Sequence, residues 1–148
     1  MSNNEEEWPR AVLLDTCAVI WLANGDLSPP VVEILVYAGL AEGVFTSPIS
    51  AWEIGLLSRP KAARKLGLQF LPDPKTWFAK FMAGPAIREA AFTPSIAIDA
   101  SHLPGNLHGD PGDRIIVATA RHLNAPVVTR DTKIIDYAEA GHVRVVRC

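Results

Sequence analysis

Cysteine is scarce in this 148-residue chain: there are two, Cys17 and Cys148, near its opposite ends. They make no CxxC or Cys/His spacing, which excludes a disulfide framework and a zinc site and fits a reducing cytoplasm. No uncharged apolar stretch approaches the roughly 20 residues that a membrane-spanning helix needs, so a soluble protein with no membrane partner is expected. Positive charge is not in surplus either. Fourteen Lys and Arg stand against 16 Asp and Glu, a formal net charge of -2, which excludes coating nucleic acid through bulk charge but leaves room for a local basic track. The opening residues lack the basic start and apolar run of a signal peptide. Residues 1–9, with Glu5, Glu6 and Glu7, read as a disordered acidic tail, and residues 10–148 as a single domain.

Apolar residues make up 49% of the chain, too many for a disordered protein. At this length folding buries roughly two-thirds of the unfolded surface, enough for a core without staples. Ala11-Val12-Leu13-Leu14 is a short apolar run closed by Asp15, the pattern of a buried parallel strand. Helices are expected over 16–23 and 31–41, the second opened by Ser28 and Pro29, with a strand at 44–46. Further helices are expected over 48–57, over 58–66 after the break at Pro60, and from Asp73-Pro74 through Met82. A short strand is placed at 89–92, and Thr93-Pro94 opens a helix reaching 102. The loop 103–109 leads into Asp110-Pro111-Gly112-Asp113, the strongest helix entrance in the sequence, which feeds 114–123. A strand at 126–129, a helix at 132–140 and a strand at 142–146 complete the chain. Such alternation implies an α/β fold, a three-layer α/β/α sandwich with a mostly parallel central sheet.

Four acids stand out. Asp15 ends the first strand, and ligands of open parallel sheets bind beyond the carboxyl ends of the strands; a plain N-cap for the next helix reads equally well. Glu53 has Ile49 four residues before it and Leu57 four after, on the stripe that faces the core, where a lone carboxylate is expensive unless it is paired or snorkels out. Asp113 lies three and four residues before Ile116 and Val117, on the inward face of its helix. Asp110 is assigned mainly to capping that helix, with Asp113 able to complete a capping box. Asp131 repeats the arrangement of Asp15 after the strand at 126–129. Each acid has a structural explanation alone, but together they are expected to converge on one crevice, where like charges repel by several kcal/mol at an effective dielectric of about 20. A cation must offset them, or some must stay protonated. Oxygen-only ligation points to a hard ion such as Mg²⁺ or Mn²⁺, whose chemistry suits hydrolysis of a phosphate ester.

On these residues the chain resembles the PIN-domain ribonucleases, most closely the VapC toxins of bacterial toxin–antitoxin pairs. The resemblance runs from Arg10 onward through Leu13-Leu14-Asp15-Thr16, Ser50-Ala51-Trp52-Glu53-Ile54, His108-Gly109-Asp110-Pro111-Gly112-Asp113-Arg114 with the following Ile115 to Ala120, and Val128-Thr129-Arg130-Asp131. It implies an acidic quartet, Asp15, Glu53, Asp113 and Asp131, holding Mg²⁺ or Mn²⁺ for cleavage of single-stranded RNA. Asp15, Asp113 and Asp131 would be the metal residues, Glu53 and Asp113 would complete the shell and orient or deprotonate the attacking water, and Thr129 would be a polar support. A homodimer and a VapB-like antitoxin partner are implied as well. Gly112 departs from the pattern, because relatives of this type commonly carry Phe between Pro and Asp, and the acidic extension before Arg10 is a second departure.

Arg59, Lys61, Arg64 and Lys65 could track an RNA backbone or simply form a solvated helix face. Arg114 and Arg130 adjoin two of the acids and could bind phosphate or pair with them. His102 and His108 read as loop residues rather than ligands. Trp21, Trp52, Trp77 and Phe81 read as core or interface packing rather than base-stacking platforms, since they fall on helices. Cys17 has no adjoining base to make it a nucleophile. Two other functions fit parts of the pattern. One is a catalytically silent RNA- or protein-binding module on the same fold. The other is a phosphoacceptor receiver domain, which needs a second acid beside Asp15 and a Lys ending a late strand, neither of which Leu13-Leu14-Asp15 and Val128-Thr129-Arg130 supply.

Overall fold

Val12 and Leu14 face one way along β1 (Ala11–Leu14) and Leu13 faces the other, and each side meets its own apolar layer. The same alternation splits Val127 from Val128 and Val145 from Val146, so the sheet is covered on both faces, as period-two side chains in a parallel sheet require. These statements come from a computed structural model that describes residues 8–148. Of the expected tail, residues 1–7 lie outside the described residues, while the Trp8 ring meets Tyr37 edge-on with centroids 5.6 Å apart.

After β1 come α1 (Thr16–Asn24), α2 (Pro29–Leu40), β2 (Gly43–Thr46), α3 (Pro48–Leu57), α4 (Pro60–Leu66) and α5 (Pro74–Met82). Then follow β3 (Ile87–Glu89), α6 (Pro94–Ser101), α7 (Pro111–Leu123), β4 (Val127–Thr129), α8 (Thr132–Glu139) and β5 (Val145–Arg147). Helices α2 to α7 all begin on a proline, whose missing N–H and fixed φ suit the first helical position. These prolines are therefore punctuation rather than breaks.

The strands lie in the order β3-β2-β1-β4-β5, all parallel. Ala18, Val19, Val31, Leu35 and Ile54 pack on one face with the aromatic side chains of α5, and Ile116, Val117, Ala120, Ile134 and Tyr137 on the other. This is the expected three-layer α/β/α sandwich. A receiver domain would order its strands 2-1-3-4-5, so the topology removes that alternative. Among the described residues, no single helix is long and apolar enough to cross a membrane.

Two strands differ from expectation. Strand β3 spans Ile87–Glu89 rather than 89–92, because pairing with β2 fixes its register at Val44↔Ile87 and Thr46↔Glu89. It is an edge strand, which tolerates Arg88 and Glu89, whereas the apolar residues after it pulled the expected strand onward. Strand β5 begins at Val145 rather than 142, since His142 instead packs its ring 4.8 Å from that of Tyr137.

Candidate active site

Because every strand runs the same way, all carboxyl ends open onto one edge. Asp15 leaves β1 there and Asp131 follows the adjacent β4. Both carboxylates cap the helix that comes next: Asp15 Oδ1 accepts from the Ala18 N–H at 2.8 Å, and Asp131 Oδ1 from Lys133 at 2.8 Å and Ile134 at 3.3 Å. The capping and functional readings are therefore compatible. Thr129, fully buried between them, accepts the Asp131 N–H on its hydroxyl at 2.9 Å, and its side chain also hydrogen-bonds Asp15.

Glu53 comes in from α3. Its neighbours on the stripe divide between the two cores, Leu57 to one and Ile49 to the other, so its carboxylate emerges at the seam rather than inside either. There the Thr16 hydroxyl donates to Glu53 Oε1 and lies 3.0 Å from the buried Ser50 hydroxyl. Asp113 enters on the first turn of α7, where Asp110 Oδ1 accepts its N–H at 3.0 Å. The reciprocal arm of a capping box is not formed, because the Asp110 N–H donates to His108 Nδ1 at 3.2 Å. That leaves the Asp113 carboxylate to the site.

The electrostatics tie the quartet together. Burial pushes the Asp15 carboxyl up, with Asp131 and Glu53 adding repulsion against the hydrogen bonds of Thr129 and Ala18. Burial also raises Glu53, and Asp110 adds to it, while the Thr16 hydrogen bond opposes. Asp113 is pushed up to about 7, first by burial and then by Asp110, Asp131, Glu53 and Asp15. Carboxyls that resist ionisation through burial and through one another's charge could hold a cation.

A family model for the PIN domain matches residues 12–140. The chain belongs to the PIN domain family. Ribonuclease VapC22 of Mycobacterium tuberculosis is 42% identical over 59 residues, a match spanning 40% of this chain and 45% of that protein, less than half of either. The crystal structure of VapBC2 from Rickettsia felis, bound to a DNA fragment from its promoter, shares the fold at a TM-score of 0.64. It covers 93% of this chain and 98% of its own, at 15% identity.

Three further groups stand at the site of this PIN domain: Thr16 and Ser50, to which the sequence assigns no role, and His108, which it reads as a loop residue rather than a ligand. The Thr16 hydroxyl reaches Glu53 across 37 residues of chain and Ser50 across 34; only Ser50, one turn before Glu53 on α3, left a trace in spacing. His108 sits with Asp113 and Asp131 so that one ligand atom from each lies within 4.8 Å of the others. Its Nε2 is enclosed, 3.2 Å from Asp113 Oδ2 but off the line of a formed hydrogen bond. Since Nδ1 accepts from Asp110, the proton of a neutral ring belongs on Nε2. His108 thus faces the carboxylates as a donor, and the donor set offered to a cation is oxygen.

The remaining candidates fall elsewhere. Arg114 neither pairs with an acid nor stands free for phosphate; its guanidinium donates to the carbonyls of Ala100 at 2.9 Å, Leu107 at 2.9 Å and His108 at 3.4 Å. Arg130 stacks 3.5 Å from the centroid of Trp21, a cation–π contact. Arg59, Lys61, Arg64 and Lys65 are exposed on and beside α4, with Arg64 and Trp77 lining an open groove of about 710 Å³. Trp21, Trp77 and Phe81 pack against the core, whereas Trp52 is 57% exposed on α3, which leaves interface packing of the two uses expected for it. Cys17, exposed beside the acids, has its thiol pushed up to about 11 by desolvation and then by Asp15, Glu53, Asp113 and Asp131, unfit for a nucleophile.

Proposed function

We propose that this protein is a divalent-metal-dependent endoribonuclease that cleaves single-stranded RNA in the cytoplasm as the toxin of a toxin–antitoxin pair. The observation that carries the reading is the gathering of Asp15, Glu53, Asp113 and Asp131 at one strand edge, where each raised carboxyl is held up in part by other acids. The name of the partly matching relative, a ribonuclease, supports the RNA substrate.

The donors fit a hard ion: carboxylate oxygens, with the one nearby imidazole turned to them as a donor. Asp15, Asp113 and Asp131 would hold Mg²⁺ or Mn²⁺, which when bound supplies charge neutralisation at a phosphodiester and acidifies water. Thr129 keeps Asp15 and Asp131 at fixed spacing, and Asp110 fixes the first turn of α7 under Asp113. Glu53, oriented by Thr16 and with its proton affinity raised, is placed to orient or deprotonate the attacking water. Arg59, Lys61, Arg64 and Lys65 would track the RNA backbone. Exposed apolar side chains, among them Val36, Leu40, Trp52 and Ile98, suit a homodimer and an antitoxin partner.

Purified protein incubated with defined single-stranded RNAs should cleave them with Mg²⁺ or Mn²⁺ and not with a chelator. Asp15→Asn keeps an oxygen to cap α1 while removing the charge, so it should fold normally and lose cleavage by at least about 10²-fold. Wild-type turnover in that folded variant would refute the reading, and absence of metal-dependent cleavage by the wild-type chain would leave the silent binding module in its place.

A further inference from the structure

Gly112 occupies the second position of α7, buried, in a helix where glycine is a poor choice. Its backbone lies outside the left-handed region, so conformation does not require it. What requires it is space. A Cβ at this position would lie 2.5 Å from Glu53 Oε2, 2.8 Å from its Cδ and 3.2 Å from Oε1. Gly109, three residues earlier, has nothing within 4 Å of a built Cβ, so the contact belongs to Gly112 and not to the loop as a whole.

The Glu53 carboxylate is thus held from two sides. Thr16 donates to Oε1 from α1, and Oε2 lies against the bare Cα of Gly112 where α3 packs on α7. We propose that Gly112 is a positioning residue: by having no side chain it seats the Glu53 carboxylate against the first turn of α7, beside Asp113. This rests on the nuclease reading only for its consequence in turnover. Because the group in the way is the far end of a flexible side chain, a methyl at 112 should displace the carboxylate and leave the fold standing.

The test compares Gly112→Ala, Glu53→Gln and the double variant in the full chain. Gly112→Ala should keep the wild-type circular dichroism spectrum and unfolding midpoint or better, and should lose about 10²-fold in kcat with KM for RNA unchanged. In the Glu53→Gln background the same substitution should cost nothing further. Wild-type kcat in folded G112A, or an equal loss in both backgrounds, overturns the proposal. The ¹³C resonance of the Glu53 carboxyl is read alongside. If the wild-type chain cleaves no RNA, a moved resonance in G112A upholds the seat while the nuclease reading falls, and an unmoved one overturns the seat. Should G112A fail to fold, G112A/E53A decides: recovery of the fold assigns the clash to Glu53, and continued unfolding overturns it.

Discussion

Asp113 is the residue at which fold and chemistry pull in opposite directions. Burial, and then the neighbouring acids, push its carboxyl up from 3.8 to about 7 in the folded protein. The folded state therefore binds a proton that the unfolded chain has released. Stability that rests on protonated Asp113 is complete below about pH 4 and is lost as pH rises through about 7. Asp15 and Glu53 are shifted the same way and add to the trend. Metal-free protein should show a urea midpoint that falls between about pH 4 and about pH 7, and Asp113→Asn should flatten that fall while abolishing metal binding. A flat profile in the wild-type chain would contradict the clustering of the acids. The four acids were legible in the sequence because each sat at a strand end or on an inward helix stripe. Thr16, Ser50 and His108 were not, since a hydroxyl or ring whose partner is set by tertiary packing leaves no periodic mark near its own position.

At the scale of elements, the loop before α7 depends on Arg114. One planar guanidinium serves three carbonyls, two of them in the loop that presents His108 to Asp113. Lysine cannot reproduce that fork, so Arg114→Lys should cost about 1.5–3 kcal/mol in urea unfolding and weaken Mn²⁺ affinity by loosening the first turn of α7, which carries Asp113. Unchanged affinity would separate the loop from the site. Helix α4 offers a different test. Replacing Arg59, Lys61, Arg64 and Lys65 with Gln should weaken RNA binding and flatten its dependence on log salt by about 0.7 for each phosphate no longer neutralised. An unaltered slope would make α4 a solvated face. Most elements were legible because Ser, Thr, Asp and Pro mark helix starts locally. Strand β3 was displaced because its register belongs to β2: backbone pairing chose Ile87-Arg88-Glu89 over the apolar residues that follow, and no local pattern carries that choice.

Over the whole molecule, the parallel sheet lets one ion act on stability as well as chemistry. An ion that binds only the folded state at a hundred times its Kd adds about 2.7 kcal/mol. Mg²⁺ or Mn²⁺ should raise the melting temperature, more above about pH 7 than below it because protons then no longer compete with the ion for Asp113, and a chelator should return it. The direction of the sheet also has a practical outcome. Pro9 and Arg10 lead into β1 at the far rim, while Cys148, whose N–H donates to the Thr129 carbonyl at 3.1 Å, ends beside Arg130 and within electrostatic reach of Asp15. Affinity tags, fluorophores or surface tethers fused ahead of β1 hang clear of the carboxylates, whereas the same handles fused after β5 crowd them. Two otherwise identical preparations differing only in which end carries the handle are expected to differ in measured turnover.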